Sequence, residues 1–204
     1  RDLPSIARNI VNVDVVLHAA GPFSLTMPNM VQACLQTQTH YCDITGEIEV
    51  FEKVYAQHDE AVEKNIALIP GVGFDVVPTD CIAKTLSEVL PDASHLALSF
   101  RASGGISRGT LQTAIYHMDG NSWKRADGEL RPTKNEMYRG STFGTDDKIN
   151  FMGIPWGDLS SAYRSTQIPN IITAMAASPK QADKMKKMRL FMPIAKIKPV
   201  NALL

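Results

Sequence analysis

Apolar positions in the first 90 residues alternate between short runs and helical stripes. Residues 13–20 (VDVVLHAA) are near-continuously apolar, the pattern of a parallel strand buried on both faces. Gly21-Pro22 ends that run. The spacing then predicts a helix over 28–38, with Pro28 in its first turn and Val31, Cys34 and Leu35 on one face. Residues 40–44 read as a second strand. A helix is expected over 47–65, its stripe formed by Phe51, Val54, Tyr55, His58, Ala61 and Val62. Residues 66–70 read as a third strand, stopped by Gly71-Val72-Gly73. Thr79 or Asp80 is the expected cap of a further helix whose Ile82, Leu86, Val89 and Leu90 face inward. This order predicts parallel α/β structure with right-handed crossovers.

The period changes after Pro91. Leu96, Leu98 and Phe100 alternate with polar positions, as in a half-buried strand. Residues 108–118 read as a helix. Asp127-Gly128 lies between two strand-like segments and signals a hairpin. Residues 137–143, 149–154 and 170–176 read as strands. Ser178-Pro179-Lys180-Gln181 is a capping box opening a helix with Ala182, Met185, Met188 and Met192 inward. The expected organisation is two domains. Residues 1–90 are half of a Rossmann-type parallel sheet, and 91–204 are an antiparallel-rich α+β domain for substrate or dimerisation.

Composition narrows the function classes. The chain has 204 residues, 44% hydrophobic, with 21 basic and 21 acidic side chains. A zero balance argues against a general phosphate-backbone binder, so no nucleic-acid partner is expected. The longest apolar stretch, residues 10–20, contains Asn12, Asp14 and His18, so no membrane span is expected. Three cysteines without a C-x-x-C pattern fit a reducing compartment, the cytoplasm. The opening Arg1-Asp2-Leu3-Pro4 has no signal-peptide pattern, and the missing initial Met suggests an excised piece.

The densest polar cluster is residues 40–47, HYCDITGE, at the carboxyl end of the second strand. Ligands bind at that edge of open α/β sheets. Strand alternation puts Tyr41 and Asp43 on one face and His40 and Cys42 on the other. Tyr41, Asp43 and Glu47 have the chemistry for proton transfer or ligand anchoring. Asp43, Thr45 and Glu47 also suit helix capping, and both readings stand. Cys34, His40 and Cys42 do not reach a four-ligand zinc pattern, so no metal is expected. Gly21-Pro22-Phe23 and Gly73-Phe74-Asp75 end the first and third strands. There they serve either as turns or as backbone that a nucleotide can approach. The Gly/Ser segment 103–110 precedes a helix and is a candidate anion site. The basic segment 180–189 suits a solvated helix face or a membrane surface. A dinucleotide fold also needs G-x-G-x-x-G after its first strand, yet the only glycines before residue 70 are Gly21 and Gly46. The phosphate loop is thus expected in the other, N-terminal half of such a sheet.

Together, residues 14–23 (DVVLHAAGPF), 39–47 (THYCDITGE), 70–75 (PGVGFD), 103–110 (SGGISRGT) and 154–158 (IPWGD) resemble the saccharopine dehydrogenase-like oxidoreductase family. The likeness is nearer its trans-acting enoyl reductase branch than its saccharopine-forming branch. The resemblance implies a Rossmann domain binding NADP or NAD, followed by an inserted α+β domain. It implies that Gly21, Pro22 and Phe23 approach the nicotinamide. Tyr41, Asp43 and Glu47 would line the cleft, with Gly73, Phe74 and Asp75 across it. The implied activity is hydride transfer to or from a C=N or C=C bond of a small molecule. A non-catalytic binding or scaffold protein is the alternative. The oligomeric state stays open, a homodimer included.

Overall fold

The structure is a computed structural model that describes residues 2–101, 122–133, 137–141 and 148–177. Its elements in chain order are α1 (Leu3–Ile10), β1 (Val15–His18), α2 (Phe23–Thr37), β2 (His40–Asp43), α3 (Ile48–Tyr55), α4 (His58–Glu63), β3 (Leu68–Ile69) and α5 (Val77–Val89). After these come β4 (His95–Phe100), β5 (Ser122–Ala126), β6 (Glu129–Thr133), β7 (Met137–Ser141), β8 (Lys148–Gly153), α6 (Asp158–Thr166) and β9 (Asn170–Ala176).

β1, β2 and β3 form a parallel sheet in chain order, with Val16 opposite Tyr41 and Tyr41 opposite Leu68. The remaining strands form a mostly antiparallel sheet ordered β6-β5-β9-β8-β7. Its exception is β4, which pairs in parallel with β9 from His95–Asn170 to Phe100–Met175. The expected fold class, α/β with a parallel sheet and then an antiparallel-rich α+β region, is what is observed. The Asp127-Gly128 hairpin also forms, with both residues at positive φ joining β5 to β6.

Four sequence expectations are corrected. β1 is not buried on both faces. Helices α2, α3 and α4 pack on the Val16, Tyr41 and Leu68 side, leaving Leu17 63% exposed on the other. The first crossover helix begins at Phe23, so Pro28 lies inside it. The expected 47–65 helix breaks at residues 56–57 into α3 and α4, with His58 and Val62 turned to solvent. On α5, Ile82 and Val89 are 54% and 70% exposed, and Leu86 and Leu90 are exposed too. That helix packs instead through its small and polar face. Ala83 is buried with Leu159 and Ala162 of α6, and Thr79 and Asp80 bond to α6 side chains. The expected 108–118 helix, the 103–110 loop, the 178–181 capping box and the basic segment after it lie outside the described residues.

Phe51 joins the two regions. It is fully buried, and both Gly71 and Gly157 press against its ring. A Cβ on Gly71 would sit 2.2 Å from the ring, and one on Gly157 2.5 Å, so neither position accommodates a side chain. Gly71 also has φ +73°, which favours glycine.

Candidate functional site

Parallel pairing brings the carboxyl ends of β1, β2 and β3 to one edge of the sheet. Ala19, Ala20 and Gly21 leave β1 there, all exposed. The 44–47 turn leaves β2, and the 70–75 loop leaves β3. Val72 N–H donates to the Asp43 carbonyl at 2.7 Å, holding the last two together.

As strand alternation predicts, Tyr41 and Asp43 share the covered face. The Tyr41 hydroxyl donates to Asp43 Oδ2 at 2.7 Å. Asp43 Oδ1 accepts from Thr45 N–H at 3.0 Å and from Gly71 N–H at 2.8 Å. His18 Nδ1 lies 3.2 Å from the Tyr41 oxygen. The Tyr41 proton is directed at Asp43, so this contact is a hydrogen bond in the tautomer that carries the His18 proton on Nδ1. Burial pushes the Tyr41 phenol well up, and the Asp43 charge adds to it. Burial also holds His18 below its ordinary value, against the opposing Asp43 charge and a hydrogen bond to the Ala20 carbonyl. The trio is a closed, buried strut that fixes the β2 end to the β3 loop.

Glu47 caps a helix, but not its own. Its Oε1 and Oε2 accept from Phe23 N–H and Ser24 N–H, each at 2.8 Å, at the start of α2. It thereby satisfies orphan donors of a helix 24 positions earlier in the chain. Glu47 N–H is held in turn by Thr45 Oγ1 at 3.0 Å.

Asp75 differs from both. It stands at the exposed rim, and no hydrogen bond to its carboxyl oxygens is found among the described residues. A carbon on Gly46 would lie 3.9 Å from its Oδ2 and 3.9 Å from the Trp156 ring. Partial burial there pushes the Asp75 carboxyl up. Trp156 Nε1 donates to the Asp75 carbonyl at 2.8 Å, and its ring packs at a tilt of 49° against Phe100 with centroids 5.3 Å apart. Phe74, beside Asp75, is 91% exposed. Gly73 packs on Ile44.

These placements test a dinucleotide against the described residues. The small, open end of β1 suits close approach by a flat ring. The first N–H groups of α2 do not suit a pyrophosphate, because Glu47 already occupies them. The described residues therefore fit one flank of such a cofactor and not its phosphates.

A second polar cluster, where α5 meets α6, was not singled out as a site from sequence. Asp158, 1% exposed, begins α6. Its Oδ1 is 2.5 Å from Thr79 Oγ1. Its Oδ2 has no hydrogen-bond partner among the described residues. Nearby, Ser165 donates to Asp80 at 3.1 Å. On the far side of α6, Arg164 clamps Glu52 of α3 through two bonds of 3.0 and 3.1 Å. Arg125 of β5 lies 3.6 Å from the same carboxylate. Burial alone would raise Glu52, but the Arg164, Ser160 and Arg125 interactions outweigh it and the net shift is downward. The sequence signals at this junction were the Trp156-Gly157-Asp158 string, which carries no period, and Thr79 and Asp80, expected as caps but placed inside α5, which starts at Val77.

No family model matches the chain. A saccharopine dehydrogenase-like oxidoreductase of Bos taurus is 36% identical over 112 residues, covering 50% of this chain and 25% of that protein. A Mycobacterium tuberculosis protein named as a trans-acting enoyl reductase is 28% identical over 123 residues, covering 55% and 29%. The chain thus spans about a quarter of the length of the curated relatives it matches. Among solved structures, saccharopine dehydrogenase (L-Glu forming) of Saccharomyces cerevisiae superposes with a TM-score of 0.52 at 15% identity, over 86% of this chain and 42% of that one. The chain is therefore similar in sequence to saccharopine dehydrogenase-like oxidoreductases and in fold to a saccharopine dehydrogenase.

Proposed function

We propose that the chain is part of an NAD(P)-dependent oxidoreductase that moves a hydride to or from a C=N or C=C bond of a small-molecule substrate. The observation that carries this reading is the carboxyl edge of the parallel sheet. There the small open end of β1 and the uncommitted carboxyl of Asp75 flank one continuous turn, residues 44–47. Glu47 of that turn holds the α2 start, and Gly46 packs near Asp75. The relatives' names support oxidoreductase chemistry.

In this reading Gly21, Pro22 and Phe23 flank the nicotinamide, and Gly73, Phe74 and Asp75 stand across the cleft. Tyr41, Asp43 and Glu47 line and hold that edge. Their oxygens are engaged in bonds that fix the backbone, so proton transfer falls first to Asp75. A nicotinamide cofactor, when bound, supplies the hydride chemistry, and the protein supplies orientation and electrostatics. Residues 1–90 belong to the cofactor-binding unit and 91–204 to a substrate and dimerisation unit. Three free cysteines are consistent with a reducing compartment, the cytoplasm. Among the described residues no helix is long and apolar enough to cross a membrane. Calorimetric titration of the whole protein with NADPH and with NADH tests the reading. Binding of one or both is expected, and binding of neither refutes it.

A further inference from the structure

Thr79 presents a problem in proton counting. Its hydroxyl oxygen lies 2.9 Å from the Val76 carbonyl and 2.5 Å from Asp158 Oδ1. A carbonyl only accepts, and an ionised carboxylate only accepts, but a threonine hydroxyl has one proton. With Asp158 ionised, one of the two contacts would set lone pairs against each other. A protonated Asp158 resolves both.

We propose that Asp158, in its neutral carboxylic-acid form, is a positioning residue for the loop that carries Asp75: its O–H donates to Thr79 Oγ1, and the Thr79 O–H donates to the Val76 carbonyl. The inference rests on reading Asp75 as the uncommitted carboxyl of the cleft. Three further observations support it. Asp158 is 1% exposed, and its Oδ2 has no hydrogen-bond partner among the described residues, an arrangement hostile to a charge. The charged groups facing it from α5 and the loop before it are both acidic, Asp80 and Asp75. On the opposite flank, α3 brings Glu52, whose charge is directed to Arg164 and Arg125 rather than to Asp158. Burial pushes the Asp158 carboxyl up to about 6, with Asp80 and Asp75 adding to the rise and Thr79 and its own backbone N–H opposing it.

The chain of bonds ends on Val76, the residue after Asp75. Val76 N–H also donates to the Gly73 carbonyl at 3.3 Å, and its carbonyl accepts from Asp80 N–H at 2.9 Å. Below about pH 6 the acid latches this turn. Ionisation releases the proton to solvent, turns the Thr79 hydroxyl toward Asp158 and leaves the Val76 carbonyl one donor short.

Carbon-13 carboxyl NMR of aspartate-labelled protein tests the proposal without cofactor or substrate, so its failure is separate from failure of the oxidoreductase reading. One carboxyl should titrate near 6, about a hundredfold weaker an acid than an ordinary aspartate at 3.8. The signal should vanish in Asp158→Asn, whose amide still donates to Thr79 and preserves the fold. The Asp75 carboxyl should show a second inflection at the same midpoint, and that inflection should be lost in both Asp158→Asn and Thr79→Val. An Asp158 signal that titrates in the ordinary carboxylate range would overturn the proposal. So would an Asp75 curve with no inflection at the Asp158 midpoint.

Discussion

Asp43 and Asp158 are both fully buried carboxylates, one at the parallel-sheet edge and one at the α5–α6 junction. Asp43 accepts three hydrogen bonds, two from backbone N–H groups and one from Tyr41. Among the described residues Asp158 has one side-chain partner, and its Oδ2 has none. Equal burial therefore leads to opposite chemistry. At the sheet edge the surroundings supply donors matched to a charge. At the helix junction they supply acceptors and other carboxylates. Rigidity belongs to the first region, and response to pH belongs to the second.

The strongest way to break this contrast is to delete the Asp43 acceptor. Asp43→Ala leaves two buried N–H groups and the Tyr41 hydroxyl without a partner, so a loss of about 3–5 kcal/mol is expected in denaturant unfolding. A loss below about 1 kcal/mol would mean that water or another group replaces it. The pH dependence of Asp158 comes next. Its folded value lies above its unfolded value, so its contribution is full below about pH 4 and is lost as pH rises through about 6. Relative to Asp158→Asn, wild type should lose up to about 3 kcal/mol across that window, read from unfolding curves at a series of pH values. A parallel pair of curves would remove the pH response from this junction.

Smaller effects sharpen the same comparison. Glu47→Gln keeps one acceptor for the α2 start and turns an amide N–H₂ toward the other donor. A loss of about 1–2 kcal/mol is expected, as for other helix caps. Tyr41→Phe should cost about 1 kcal/mol by removing one donor to Asp43. Thermal melts of both variants measure these losses.

The parts of the fold written in local patterns were legible. β1 and β3 followed from apolar runs ended by glycines, and the β5–β6 hairpin from Asp127-Gly128. The α2 start was missed because its cap is Glu47, far along the chain, with no capping residue at Pro22. Helix α6 was missed because its sequence, DLSSAYRST, buries serines rather than an apolar stripe. The α5 stripe misled for the complementary reason: its contact with α6 runs through Thr79, Asp80 and Ala83. The polar cluster at residues 40–47 was visible as a region. Whether each group there was tied or free was not, because Gly71, Phe23 and Ser24 arrive from other elements.

The central claim is that the cleft edge holds committed carboxylates beside an uncommitted one, Asp75. Denaturant unfolding of Asp43→Asn and Asp75→Asn, measured side by side at pH 7, tests it most directly. Asp43→Asn places an amide N–H₂ against a Tyr41 hydroxyl that now donates to Oδ2, so a clear loss of about 1–2 kcal/mol is expected. Among the described residues Asp75→Asn breaks no side-chain bond, and it should stay within about 0.5 kcal/mol of wild type. Equal losses, or a larger one at Asp75, would contradict the account.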